Sequence, residues 1–138
     1  MAKRTEAYVD TSALIAFLDR SDTYHALFAA LFADPPALVT SPLVVAEGHA
    51  WFLKRYDGGR AIQFLNFLKK LKPLSILSIG NEEIQQASGT IQRMADQDLT
   101  LADAVALQIM QKRKITSCWS TDRHLSLTGI PLVIHCVD

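Results

Sequence analysis

Residues 7–18 read Ala-Tyr-Val-Asp-Thr-Ser-Ala-Leu-Ile-Ala-Phe-Leu. The first four are a short apolar run that ends on an acid, Asp10, and residues 12–18 form an apolar helical turn. A strand too apolar to own a polar face, leading directly into a helix, is the opening unit of a parallel sheet covered on both sides. The same alternation repeats outward from it. Across residues 22–33 the apolar Tyr24, Leu27, Phe28, Leu31 and Phe32 keep the spacing of one helix face. Residues 37–40 predict a second strand, and Ser41-Pro42 opens a helix with a cap and a Pro at its first position. That helix runs to about Tyr56, where the Gly58-Gly59 pair is expected to stop it. Residues 60–71 predict another helix, with Ile62, Phe64, Leu65, Phe67, Leu68 and Leu71 over more than one face, a pattern of deep burial or of a partner. Residues 74–79 predict a strand and residues 81–95 a polar helix, and Thr100 caps a helix from 101 to about 112. Residues 115–120 and 132–136 close the pattern as strands. The expected fold is α/β, with a mostly parallel central sheet of about five strands.

The length of 138 residues suits one domain over residues 1–138, with residues 1–6 as a flexible tail. With 49% hydrophobic and 20% charged residues the chain can bury a core, which excludes disordered and fibrous classes. Fourteen basic residues balance fourteen acidic ones, which argues against a protein that coats nucleic acid by bulk charge. Cys118 and Cys136 lack metal-ligand spacing and are expected to be buried thiols of a reducing compartment. Glu6 and Asp10 interrupt any secretory signal, and no uncharged apolar run approaches the ~18 residues of a membrane span. A cytoplasmic protein with no membrane partner is the expectation.

In open parallel sheets, ligands bind beyond the carboxyl ends of the strands, so acids placed there matter most. Asp10 ends the first strand and Asp122 follows the run over residues 115–120; taken singly, each is explained as a helix cap. Glu47 shares a helix face with Leu43, Val44, Ala50 and Trp51, although an edge position reaching water would also explain it. Asp103 stands in Leu101-Ala102-Asp103-Ala104-Val105-Ala106-Leu107, apolar all round, so it is expected buried or on a cleft wall. A capping box with Thr100 explains the same position. Asp96 and Asp98 precede Thr100 in a polar loop, either as a solvated capping pair or at the border of a site. Taken together, two acids at strand ends and two on helices that begin near that edge can converge in one cleft. At ~4 Å and an effective dielectric of ~20, each carboxylate pair is opposed by about 4 kcal/mol, so such a cluster calls for protons or a cation. All-oxygen donors select a hard cation, Mg²⁺ or Mn²⁺, which would in turn hold phosphate.

Four stretches carry a resemblance to a known family: Val9-Asp10-Thr11-Ser12-Ala13-Leu14-Ile15, Val45-Ala46-Glu47, Leu99-Thr100-Leu101-Ala102-Asp103-Ala104 and Ser120-Thr121-Asp122-Arg123-His124. In this order and at these separations the chain resembles the PIN-domain ribonucleases, and among them the VapC-like toxins of toxin–antitoxin pairs. Trp119 and Leu125 stand where Phe is more usual. The resemblance implies a PIN-like three-layer α/β/α fold and Mg²⁺- or Mn²⁺-dependent hydrolysis of RNA phosphodiesters. It implies Asp10, Glu47, Asp103 and Asp122 as catalytic and metal-holding residues, with Ser12, Thr121 and Asp98 in support. A small antitoxin and a homodimer are the implied partners, and the apolar coverage of helices 22–33 and 60–71 would suit such contacts. A carboxylate cluster repels RNA until cations invert its field, so basic residues are expected around the cleft. Arg20 and Arg123 are the leading candidates, beside Lys54, Arg55, Arg60 and the run Lys112-Arg113-Lys114; His49 and His124 are candidate substrate contacts as well, with structural or solvent-facing roles expected ahead of that. Without the four acids the count becomes fourteen basic against ten acidic residues, a mildly basic surround.

Alternatives stay open. A phosphoaspartate protein also carries an Asp after its first strand, but the phosphatase form wants a second Asp where Ser12 stands, and the receiver form wants a preceding acidic pair. A PIN nuclease of RNA processing or DNA cleavage, or a PIN-like module without activity, are the others.

Overall fold

The computed structural model describes residues 5–136. Of the tail expected over residues 1–6, residues 1–4 lie outside the described residues, and Glu6 already opens the first strand. The elements follow the alternation of the sequence: β1 (Glu6–Val9), α1 (Thr11–Leu18), α2 (His25–Ala33), β2 (Ala37–Thr40), α3 (Pro42–Arg55), α4 (Gly58–Lys70), β3 (Leu74–Ile76), α5 (Asn81–Arg93), α6 (Leu101–Arg113) and β4 (Cys118–Trp119). The sheet runs β3-β2-β1-β4, and every described pair is parallel. The register sets Val9 beside Trp119 and Tyr8 beside Val39, so β1 is central and ends level with its neighbours.

Alternate residues of the central strands face opposite layers, as a pleated strand requires. Ala7, Val9 and Leu38 point into a core closed by α1 to α4, while Tyr8 and Val39 point into a second core closed by α5 and α6. Two covered faces make the three-layer α/β/α arrangement. In the first core Trp119 meets Phe32 edge-on at 5.0 Å, and Phe17 joins them through Phe32 at 4.8 Å.

Some elements differ from expectation for local reasons. About five strands were expected, and the described residues give four: Leu132 makes only an isolated bridge to Cys118, and Val133–His135 is a 3-10 turn. Pro131 lacks the backbone donor that a longer ladder would use. Gly58 and Gly59 do not stop a helix but begin α4, because the Asp57 carboxylate accepts from the Arg60 amide at 2.8 Å and caps the new helix. Helix α2 starts three residues late, since Asp22 accepts from the Tyr24 amide at 2.9 Å and holds a turn there. Cys118 is buried as expected, but Cys136 is exposed.

The packing of α4 on α3 turns on one glycine. A Cβ added to Gly48 would lie 2.2 Å from Cζ of Phe64, whose ring is buried and stacks on Phe52 at 5.5 Å. Gly48→Ala should therefore lower the melting temperature: overpacking costs about 1–3 kcal/mol, against a gain of up to about 1 kcal/mol in helix propensity. Thermal unfolding checks this, and Phe64→Leu in the Gly48→Ala background should recover part of the loss.

Candidate functional site

Parallel strands bring their carboxyl ends to one edge, and the four acids meet there. Asp10 follows β1, Asp122 follows β4, Glu47 projects from the second turn of α3, and Asp103 stands in the first turn of α6. All four line one cleft of about 490 Å³, together with Thr11, Ser12, Ile15, Ala50, Trp51, Lys54 and Thr100.

Asp10 is 7% exposed. It occupies the N-cap position of α1, yet its side chain makes no cap bond. Instead Oδ2 accepts from the hydroxyls of Ser120 at 2.8 Å and Ser12 at 3.0 Å. Those hydroxyls accept in turn, Ser120 from the Asp122 amide and Ser12 from the Thr121 amide, each at 2.9 Å. Burial pushes the Asp10 carboxyl up to about 6; the two hydroxyls work against that rise, and the Asp122 charge adds to it. Capping does explain part of Asp122, whose Oδ1 accepts from the His124 amide at 3.0 Å. The same oxygen meets His124 Nδ1 at 2.8 Å. A carboxylate oxygen is an acceptor, so His124 Nδ1 is the donor in this contact.

Asp103 serves as cap and as cleft wall at once. Its amide donates to Thr100 Oγ1 at 3.0 Å and its Oδ2 accepts from the Thr100 amide at 3.1 Å. Burial raises its pKa, with the Asp122 charge adding to the rise and the Thr100 bonds and His124 opposing it. Glu47 stands exposed on the rim, where Oε1 accepts from Thr11 at 2.9 Å. Partial desolvation raises its pKa first, and the charges of Asp103 and Asp122 add to that. One ligand atom from each of Asp103, Asp122 and His124 falls within 4.8 Å of the others.

Other expected residues stand apart. Asp98 is exposed at a left-handed position (φ 53°), Asp96 accepts from Gln97 at 3.1 Å, and neither belongs to the cleft wall. Arg20 and Arg123 are exposed and also absent from that wall, whereas Lys54 is part of it. Arg113 pairs with Glu6 at 2.7 Å, at the amino end of β1 and so at the edge opposite Asp10. Thr121 contributes its amide to the cluster, and its place in support of Asp10 is taken by Ser120. Ser120 was missed because its role depends on the strand pairing that sets it beside Asp10. A hydroxyl two residues before an acid at an expected strand end was the available signal. His124, expected in a structural or solvent-facing role ahead of substrate contact, sits against two of the acids.

Comparison with known proteins agrees with this architecture. Ribonuclease VapC26 of Mycobacterium tuberculosis is 28% identical over 116 residues, 83% of this chain and 85% of that protein. The crystal structure of VapC20 from the same organism, a toxin that cleaves the sarcin–ricin loop, shares the fold with a TM-score of 0.82 at 21% identity, over 91% of this chain and 96% of that one. A toxin–antitoxin complex from Klebsiella pneumoniae follows at a TM-score of 0.60 and 22% identity, over 91% and 94%. The PIN domain model matches residues 7–130, the span from β1 to the turn after β4 that carries all four acids. The chain belongs to the PIN domain family.

Proposed function

We propose that this chain is a Mg²⁺- or Mn²⁺-dependent endoribonuclease and the toxin of a toxin–antitoxin pair. One observation carries the proposal: Asp10, Glu47, Asp103 and Asp122 line the same cleft at the carboxyl edge of a parallel sheet. The donor set suits a hard cation, being four carboxylates with raised pKa at Asp10, Glu47 and Asp103, partly through one another's charge. A divalent ion between them removes the repulsion that otherwise favours protons there. Asp10 and Asp103 would hold it, completed by Glu47 and Asp122 directly or through water. When bound, it would lower the pKa of a water and screen the charge that builds on the phosphodiester.

The chain's own residues supply the positioning. The Ser12 and Ser120 hydroxyls fix the Asp10 carboxylate, and the Thr100 amide does the same for Asp103. His124 orients Asp122 through Oδ1, and Thr11 holds the rim carboxylate of Glu47. Each partner limits the rotamers of an acid that must meet phosphate in one geometry. The name of the relative VapC26, a ribonuclease, supports RNA as substrate, and the toxin–antitoxin complex among the structural relatives supports an antitoxin partner. A homodimer, one PIN domain over residues 1–138 and a cytoplasmic location complete the proposal. No helix among the described residues is long and apolar enough to cross a membrane.

Asp10→Asn and Asp103→Asn should each lower cleavage of structured RNA by at least about 100-fold, the upper end of what losing an outer-shell metal partner costs. EDTA should abolish cleavage by wild type, and Mg²⁺ or Mn²⁺ should restore it; metal-independent cleavage, or equal cleavage by either variant, would defeat the mechanism. Copurification of the native operon's products should yield a second small protein bound to this one.

The stability of metal-free protein should also depend on pH through Asp10. Its pKa is raised in the folded state, from 3.8 to about 6, so the folded protein disfavours the charged form. The penalty is absent below about pH 4 and complete above about pH 6, so this group lowers stability as pH rises through that window. In EDTA, Asp10→Asn should flatten that fall, and Mg²⁺ at ~100 times its Kd should raise wild-type stability by about 2.7 kcal/mol at pH 7. Melting curves of both proteins with and without metal check this; an identical pH profile for the two proteins would remove Asp10 from the account.

A further inference from the structure

Helix α3 carries more than Glu47 along the cleft. Glu47, Ala50, Trp51 and Lys54 follow i, i+3, i+4 and i+7, one stripe of the helix, and all four line the cleft wall. At 1.5 Å per residue the stripe leads ~10 Å from the acid site to the lysine. Beyond it, Tyr56 is 38% exposed and lies 6.1 Å from the Trp51 ring. Arg55 and Arg60 each set a guanidinium over the Tyr56 ring, at 5.7 and 4.9 Å.

We infer that the Trp51 wall and the Lys54–Arg55–Tyr56–Arg60 corner form a recognition site for unpaired RNA, with one base stacked on Trp51 and the neighbouring phosphates on Lys54 and Arg60. This rests on the nuclease proposal for the identity of the strand, and it adds the side of the cleft on which that strand lies and the unpaired state it must have. Trp51 is only partly buried, and Ile15 and Ala50 extend its apolar surface within a cleft otherwise walled by carboxylates, hydroxyl residues and Lys54. Aromatic faces interleaved with cations are what single strands bind, because every base offers a π-face and every linkage a charge. A paired base cannot reach such a face. Dipole complementation explains Lys54 and Arg55, which end α3, but not Arg60: it sits in the first turn of α4, where the helix field disfavours a cation. Asp19 faces Tyr56 and Arg55, which leaves Arg60 over the ring and Lys54 on the cleft wall to favour a polyanion over an apolar protein segment.

Binding can be read without cleavage. A short unpaired 2′-O-methyl oligouridylate in Mg²⁺ should quench the fluorescence of the wild-type protein, and a duplex of the same length should not. The chain has two tryptophans, and Trp119 is buried, so Trp51→Phe should lose the quenching while keeping affinity within a few-fold. Trp51→Ala should weaken binding by about 5-fold to 100-fold. Arg60→Ala and Lys54→Ala should each reduce the slope of log affinity against log salt by about 0.7. Equal affinity of Trp51→Ala and wild type, quenching by duplex as strong as by single strand, or quenching by an acidic peptide but not by RNA would overturn the inference. If wild type cleaves RNA while Trp51→Ala binds unchanged, the site fails and the nuclease stands. If quenching occurs as described but no metal supports cleavage, the nuclease fails and the binding site stands.

Discussion

The Asp10 carboxylate is the point on which the site's construction depends. Ser12 and Ser120 each have one hydroxyl proton, and both donate it to Oδ2, which leaves their oxygens to accept the amides of Thr121 and Asp122. Their mutual approach at 3.2 Å then has no proton to share and follows from the common acceptor. Through these four bonds an acid at the end of the central strand fixes a loop 110 residues later in the chain, and with it the position of Asp122. Hydrogen bonds to a charged group stabilise by about 1.5–3 kcal/mol each, yet the carboxyl still ends near 6, so desolvation outweighs both hydroxyls. The clamp therefore positions Asp10 without satisfying its charge, and a cation has something to gain there.

Charge is segregated around that point. The acids gather at the carboxyl edge of the sheet, while Arg113 is held by Glu6 at the opposite edge and so is removed from any part in the cleft. The basic residue on the cleft wall is Lys54, from the end of α3, which lies on the same helical stripe as Glu47. A formal net charge of zero is thus an average over an acidic pocket and basic residues placed elsewhere. Bulk charge excluded a protein that coats nucleic acid, and it said nothing about one that grips a strand locally.

Periodic features were legible in the sequence because they are local. The strand-then-helix opening, the amphipathic α2 and the Thr100 cap depend on neighbours within four residues, and they predicted a covered parallel sheet and the four acids at one edge. Features set by distant contacts were not. Ser120 has meaning only once β4 lies beside β1, and the two residues of β4 are too few to declare themselves by alternation. Gly58-Gly59 signalled a break correctly, but whether it ended α3 or began α4 was decided by the Asp57 cap. Arg20 and Arg123 are exposed and absent from the cleft wall, a placement that spacing alone does not carry.

Asp103 shows why the capping and cleft explanations of an acid need not compete. One carboxylate completes the capping box with Thr100 and faces Asp122 and His124 in the cleft. The positive end of α6 favours an anion at this position, and the Thr100 bonds favour it further, yet the pKa is raised because burial and Asp122 weigh more. A residue kept only for capping would do better exposed, where it keeps the helix field and loses the penalty. Burying it beside other carboxylates worsens capping and improves only the ability to hold a cation. The cap explains why an acid is tolerated at this position, and the proposed cation would explain why it is buried there.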